Sequence, residues 1–148
     1  MEFVIQYKMH NYESWCIMNR TEEREQAFLI VFEKIFRDEE TTELIEYAKE
    51  ARDFYDSEYV NDVAVGVYAN IDNIDKYISE NSKGWSIKRI SKVGLAAMRI
   101  AVYEILYRED IPVSVSINEA VEIIKKYATV DDSSFANGIL GTIARGLE

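Results

Sequence analysis

Cysteine, proline and histidine occur once each in this 148-residue chain, and glycine only six times. A lone Cys16 cannot close an internal disulfide, which excludes a disulfide-stapled scaffold and fits a reducing compartment. A single Pro112 and so few glycines leave little room for long linkers or turn-rich β architecture. His10 is the only histidine, so no histidine-based triad can be built in the body of the chain. Paired with Cys16 it still falls short of the four ligands of a structural zinc site, and the pair reads as incidental. The longest run of small and apolar residues, 93–107, is too short and too interrupted for the roughly 20 residues that cross a bilayer. The N-terminus lacks the basic head and apolar core of a secretory signal, so a cytoplasmic location is expected. Phosphate-binding glycine loops, H-E-x-x-H and nucleophile elbows are missing. The carboxylate pairs Glu22/Glu23 and Asp131/Asp132 stand at helix starts, where the helix dipole accounts for them. The pattern suits a binding protein rather than an enzyme, with no cofactor and no metal expected.

Acid is abundant. Against 17 lysines and arginines stand 27 aspartates and glutamates, a net charge of −10. Such a field repels phosphate backbones, leaving nucleic-acid binding to a local basic face or to a basic partner. The plain reading of the charge is solubility. Hydrophobic residues make up 48% of the chain, ample for one core, and their spacing is helical almost throughout.

The first helix is predicted over 22–36, with Thr21 as N-cap and Ala27, Phe28, Val31, Phe32 and Ile35 inward. Arg20 and Arg24 lie four apart on one side of its start; by themselves they read as solvated charges. A second helix is expected over 42–54. A third runs from 57 or 58 to about 78, with Gly66 inside its apolar stripe, which points to a close helix crossing. Asp62, Asp72 and Asp75 give it a solvated acidic face. Residues 80–84 break the period, Trp85 anchors the junction, and Ser86 caps a short helix through Ile90. Lys83, Lys88, Arg89 and Lys92 form the one basic cluster, a modest one. The helix over 93–107 is apolar on most sides, with Arg99 and Glu104 nearly its only polar residues, so other helices must surround it. Pro112 ends any preceding helix. Ser116 and Glu119 read as a capping box that starts the next one, about 117–127, whose Lys125 and Lys126 suit the dipole at its end. Residues 129–134 form a loop whose last polar residues cap a seventh helix, with Phe135, Ile139, Leu140 and Ile143 on its apolar face. Gly138 within that period predicts close packing, and Phe135 alone reads as core.

Five fragments in order, W-S-I-x-R-I-S-K-V from Trp85, A-x-R-I-A-V-Y-E-I from Ala97, D-I-P from Asp110, I-N-E-A-V-E from Ile117 and F-A-N-G-I-L from Phe135, resemble the NusB family of bacterial transcription antitermination factors. The likeness is strong after Trp85 and weaker from Met18 to that point. It implies an all-α, seven-helix fold of two small bundles, lobes about 18–80 and 85–148. Residues 1–17 form an extension outside the family, either a mis-assigned start or a lineage-specific arm. The resemblance further implies binding of boxA-type single-stranded RNA together with a small-subunit ribosomal protein acting as elongation factor. Other Nus factors, RNA polymerase and a homodimer are further expected partners, and no membrane is. Carried over by position, Arg20 and Arg24 would contact phosphate and Phe135 would stack on a base. Asp131 and Lys88 would stand at the partner or RNA rim. The chain departs from the family pattern in the acidic Glu22 and Glu23, in Ser134 where a lysine often precedes the phenylalanine, and in Ala136 for valine. These departures keep a second reading open: a protein-interaction or dimerisation module with weak or no RNA binding, recruiting an RNA-modifying enzyme.

Overall fold

The computed structural model describes residues 19–52, 54 and 57–148. The readings made for 1–17, His10 and Cys16 included, lie outside the described residues. Among these residues there are seven α-helices, one 3-10 turn and no strand: α1 (Arg20–Lys34), α2 (Thr41–Ala51), α3 (Glu58–Ala69), α4 (Ile71–Glu80), the turn Ile87–Arg89, α5 (Lys92–Tyr107), α6 (Val113–Tyr127) and α7 (Val130–Gly146). The all-α class and the count of seven are as expected, but the helices are divided differently.

The expected third helix is two. At Asn70 the backbone leaves the helix (φ −119°, ψ 22°), and both its main-chain N–H and its side-chain amide donate to the Gly66 carbonyl, at 3.0 and 2.8 Å. An asparagine that bonds the preceding turn competes with helix propagation. The apolar stripe continues through Val67, Ile74 and Ile78 on both sides of the bend, so hydrophobic spacing alone could not register it. The short helix after Ser86 is a single 3-10 turn, and the Ser86 side chain caps nothing. Ser91 caps α5 instead, accepting from the Gly94 N–H at 3.0 Å.

Three other starts also move upstream. Asn19 caps α1, accepting from Glu22 N–H at 2.9 Å, in place of Thr21. α6 begins directly after Pro112, whose fixed φ of −60° suits a helix entry, so no capping box forms at Ser116–Glu119. Thr129 caps α7, accepting from Asp132 N–H at 3.0 Å, which puts Asp131 and Asp132 in the first helical turn and not in a loop.

α5 is the centre of the molecule. Every residue from Gly94 to Glu104 is buried, with α1, α3, α4, α6 and α7 packed around it. Its alanines, Ala96, Ala97 and Ala101, let neighbours approach. At α3 the approach is close: a Cβ on Gly66 would sit 2.4 Å from the Tyr103 ring, so the crossing expected at Gly66 is there and any larger residue must displace that ring. Tyr103 then donates its hydroxyl to Asp62 at 3.0 Å, and Arg99 forms a two-pronged pair with Asp75 at 2.9 and 2.8 Å. Two members of the supposed acidic face are therefore bonded to α5, and Asp72 stays exposed. Gly138, by contrast, is exposed with nothing within 4 Å of a Cβ position, so the close packing expected there does not occur. The buried side chains form one continuous cluster from Ala27 to Ile143. Among the described residues no helix is long and apolar enough to cross a membrane.

Candidate nucleic-acid interface

Two places carry the residues singled out in the sequence: the start of α1, and a cleft between the 81–85 loop and α7. At the start of α1, Arg20 is exposed and its guanidinium lies 4.5 Å from the centroid of the Tyr59 ring. Arg24, one turn later, is 2% exposed. Its Nε donates to Glu104 Oε2 at 2.9 Å and its Nη1 lies 3.6 Å from Glu119 Oε2. A guanidinium so enclosed does not face a phosphate outside, and the expected surface contact of Arg24 gives way to a structural one.

Glu104, fully buried in α5, is the hub of this arrangement. Besides Arg24 it accepts from the Tyr59 hydroxyl at 2.5 Å and the Ser116 hydroxyl at 2.7 Å. Glu119 also accepts from the Thr21 hydroxyl at 2.9 Å. Arg24, Tyr59 and Ser116 thus tie α1, α3 and α6 to the central helix, and Thr21 and Glu119 join α1 to α6. Burial, reinforced by the Glu104 charge, pushes the Tyr59 hydroxyl well above the ordinary tyrosine range. Burial opposes the Arg24 charge, but the bond to Glu104 and the neighbouring acids outweigh it and raise its pKa. The signal for this network was present in the sequence. A lone glutamate in an otherwise apolar central helix needs a buried cation, because an unpaired charge there costs several kcal/mol.

Neighbouring charges are also committed. Glu23 accepts from the Ser57 hydroxyl at 2.8 Å, while Glu22 is exposed. Lys126 does more than complement a dipole: it pairs with Glu25 at 2.6 Å, and the Tyr127 hydroxyl donates to the same carboxylate. The lysine and tyrosine bonds outweigh partial burial and hold Glu25 below the usual carboxylate range.

The cleft is built differently. Lys83 (φ 48°) and Gly84 (φ 85°) are both left-handed, and the buried Ser82 hydroxyl lies 2.7 Å from the Trp85 carbonyl, fixing the turn. The turn presents Trp85 outward, 51% exposed, so it is no buried anchor. Its ring meets Phe135 of α7 at a centroid distance of 5.7 Å and an angle of 60°. Phe135 is half-buried, packed on the core beneath and on Trp85 beside it. Together with Lys83, Ser134, Gly138 and Arg145 the two rings line a cleft of about 420 Å³. The missing side chain at Gly138 keeps its wall low. Lys88, in the 3-10 turn, and Asp131, in the first turn of α7, are both exposed. The structure thus joins Phe135 to Trp85 and Arg24 to Glu104, while Arg20 stands on Tyr59 at another helix. Among the described residues no group of histidine, cysteine, aspartate and glutamate could hold a metal ion.

Residues 21–145 match the model of the NusB family. Transcription antitermination protein NusB of Clostridium novyi is 39% identical over 132 residues, which cover 86% of this chain and 99% of the relative. The protein of the same name from Acetivibrio thermocellus is 42% identical over 130 residues, covering 86% and 90%. Among solved structures, T. maritima NusB superposes with a TM-score of 0.75 at 35% identity, covering 86% of this chain and 91% of that one. A chain from the complex of antitermination factors NusB and NusE with double-stranded RNA superposes with a TM-score of 0.77 at 26% identity, covering 86% and 96%. On a family match over 21–145 and relatives aligned along nearly their whole length, the chain belongs to the NusB family.

Proposed function

We propose that this chain is a transcription antitermination factor that acts with NusE, the small-subunit ribosomal protein, on boxA-type single-stranded RNA in nascent ribosomal RNA transcripts. With other Nus factors it equips RNA polymerase to read through. The observation that carries this reading is the aromatic pair of exposed Trp85 and half-buried Phe135, set beside cations in a chain whose net charge is −10. A π-face at the surface takes an unpaired base of any kind, and a strongly acidic chain needs a basic partner to hold the phosphates near it. Phe135 stacks on a base and Arg20 meets a phosphate. Lys88 and Asp131 stand at the rim, the carboxylate turned to the basic partner. Arg24 acts from the interior by holding the start of α1 in register. The site is cytoplasmic and binds without catalysing.

The test is binding of boxA-like and scrambled RNA at two salt concentrations, with and without NusE. The expected result is partner-dependent binding that prefers boxA and falls about 5- to 150-fold on Phe135→Ala, from the roughly 1–3 kcal/mol of a base–aromatic stack. NusE binding with no RNA preference would overturn the reading. It would favour the second one, an interaction or dimerisation module, to which the exposed Glu22 and the serine at 134 point.

A further inference from the structure

We propose, on the reading that the chain binds RNA, that the cleft between the 81–85 loop and α7 seats one nucleotide of a single strand. The base lies against Trp85 and Phe135, and the phosphate is held by Lys83 and Arg145. Of these four only Phe135 was expected from the sequence to touch RNA. Size permits it: about 420 Å³ falls within the roughly 300–1,000 Å³ of small-ligand pockets. Shape favours a planar guest, since two rings inclined at 60° make a notch and not a closed sandwich.

Charge favours an anion. Arg24, Arg37, Arg52, Arg99 and Arg108 each pair with a carboxylate. Arg20, Arg89 and Arg145 have none among the described residues, and of these only Arg145 lines the cleft, its Nη2 donating to the Thr142 hydroxyl at 3.1 Å. Lys83 has no carboxylate either, and it occupies a left-handed backbone conformation (φ 48°) that glycine or asparagine adopts at lower cost. A long cation kept at a strained position beside a cleft points to use at that cleft. An acidic peptide would satisfy the two cations but has no planar group for the aromatic notch.

The experiment uses the full chain carrying Trp15→Phe, which leaves Trp85 as the sole tryptophan. A boxA-like single-stranded oligoribonucleotide, with NusE present, should quench Trp85 fluorescence saturably. Trp85→Ala should weaken binding of the same RNA about tenfold or more. The double change Lys83→Glu and Arg145→Glu should weaken it further at low salt and lower the slope of log affinity against log salt by roughly 0.7 for each lost phosphate contact. Circular dichroism and thermal melting establish that the variants are folded. Tight RNA binding that neither variant alters would overturn the cleft assignment and leave the antitermination reading standing. No RNA binding by the unmodified chain with NusE would overturn that reading, and the cleft with it. If charge reversal abolishes NusE binding without RNA while RNA leaves Trp85 unquenched, the cleft takes an acidic peptide and the nucleotide proposal is overturned.

Discussion

The start of α1 and the cleft at α7 hold similar side chains in opposite states. At α1 the charges are turned inward: Arg24 and Glu104 are 2% and 0% exposed, and tyrosine, serine and glutamate side chains surround them, with Arg24 Nη2 left without a hydrogen-bond partner. At α7 the cations and aromatics are turned outward, and Lys83 and Arg145 have no carboxylate among the described residues. A charge bonded inside the protein stabilises a geometry and is lost to outside partners; one left at the surface contributes little to folding and stays free to bind. Charge type in the sequence did not separate these cases, since Arg24 read as a solvated charge just as Arg20 did.

That difference can be broken first at its buried end. Glu104→Ala leaves Arg24, Tyr59 and Ser116 without their common acceptor, and the expected cost is about 3–5 kcal/mol in urea unfolding, the range for removing one partner of a buried ion pair. A loss near 0.5 kcal/mol would mean that the network is solvated. Next in size is the crossing of α3 on α5. Gly66→Ala drives a methyl into the Tyr103 ring, with an expected loss of about 1–3 kcal/mol. In a Tyr103→Ala background the same change should be neutral or gain up to about 1 kcal/mol from helix propensity, a reversal that double-mutant melting would detect. The smallest effect belongs to the open cleft. Lys83→Ala and Arg145→Ala should each shift stability by no more than about 0.5 kcal/mol, as surface residues do, and a larger loss would show that these cations hold the fold.

Much of the fold was legible in the apolar spacing. The central helix, the inward faces of α1, α3, α4 and α7, and the glycine crossing at Gly66 all follow from periodicity and side-chain size. The boundaries were not. Asn19, Pro112 and Thr129 each start a helix upstream of the residue expected to do so. Serine, threonine and acidic residues in a row offer several caps of similar quality, and local pattern cannot rank them. Asn70 divides a helix whose apolar stripe shows no gap. At the site, Phe135 came from the family resemblance, since its own spacing read as core; in the structure it is half core and half cleft. The sequence places Trp85 at the junction, but the left-handed turn at Lys83–Gly84 that swings its ring outward has no apolar signature.

By itself the sequence determined an all-helical chain with apolar helix faces and no sign of catalytic or metal chemistry, because hydrophobic period and composition are properties of residues near one another along the chain. Only the tertiary structure decided which polar residues are spent inside. Thr21 and Glu119 are 98 residues apart, and Arg24 and Glu104 are 80 apart. No local pattern couples positions so distant; they are brought together by the packing of α1 and α6 on a central helix that carries one buried negative charge.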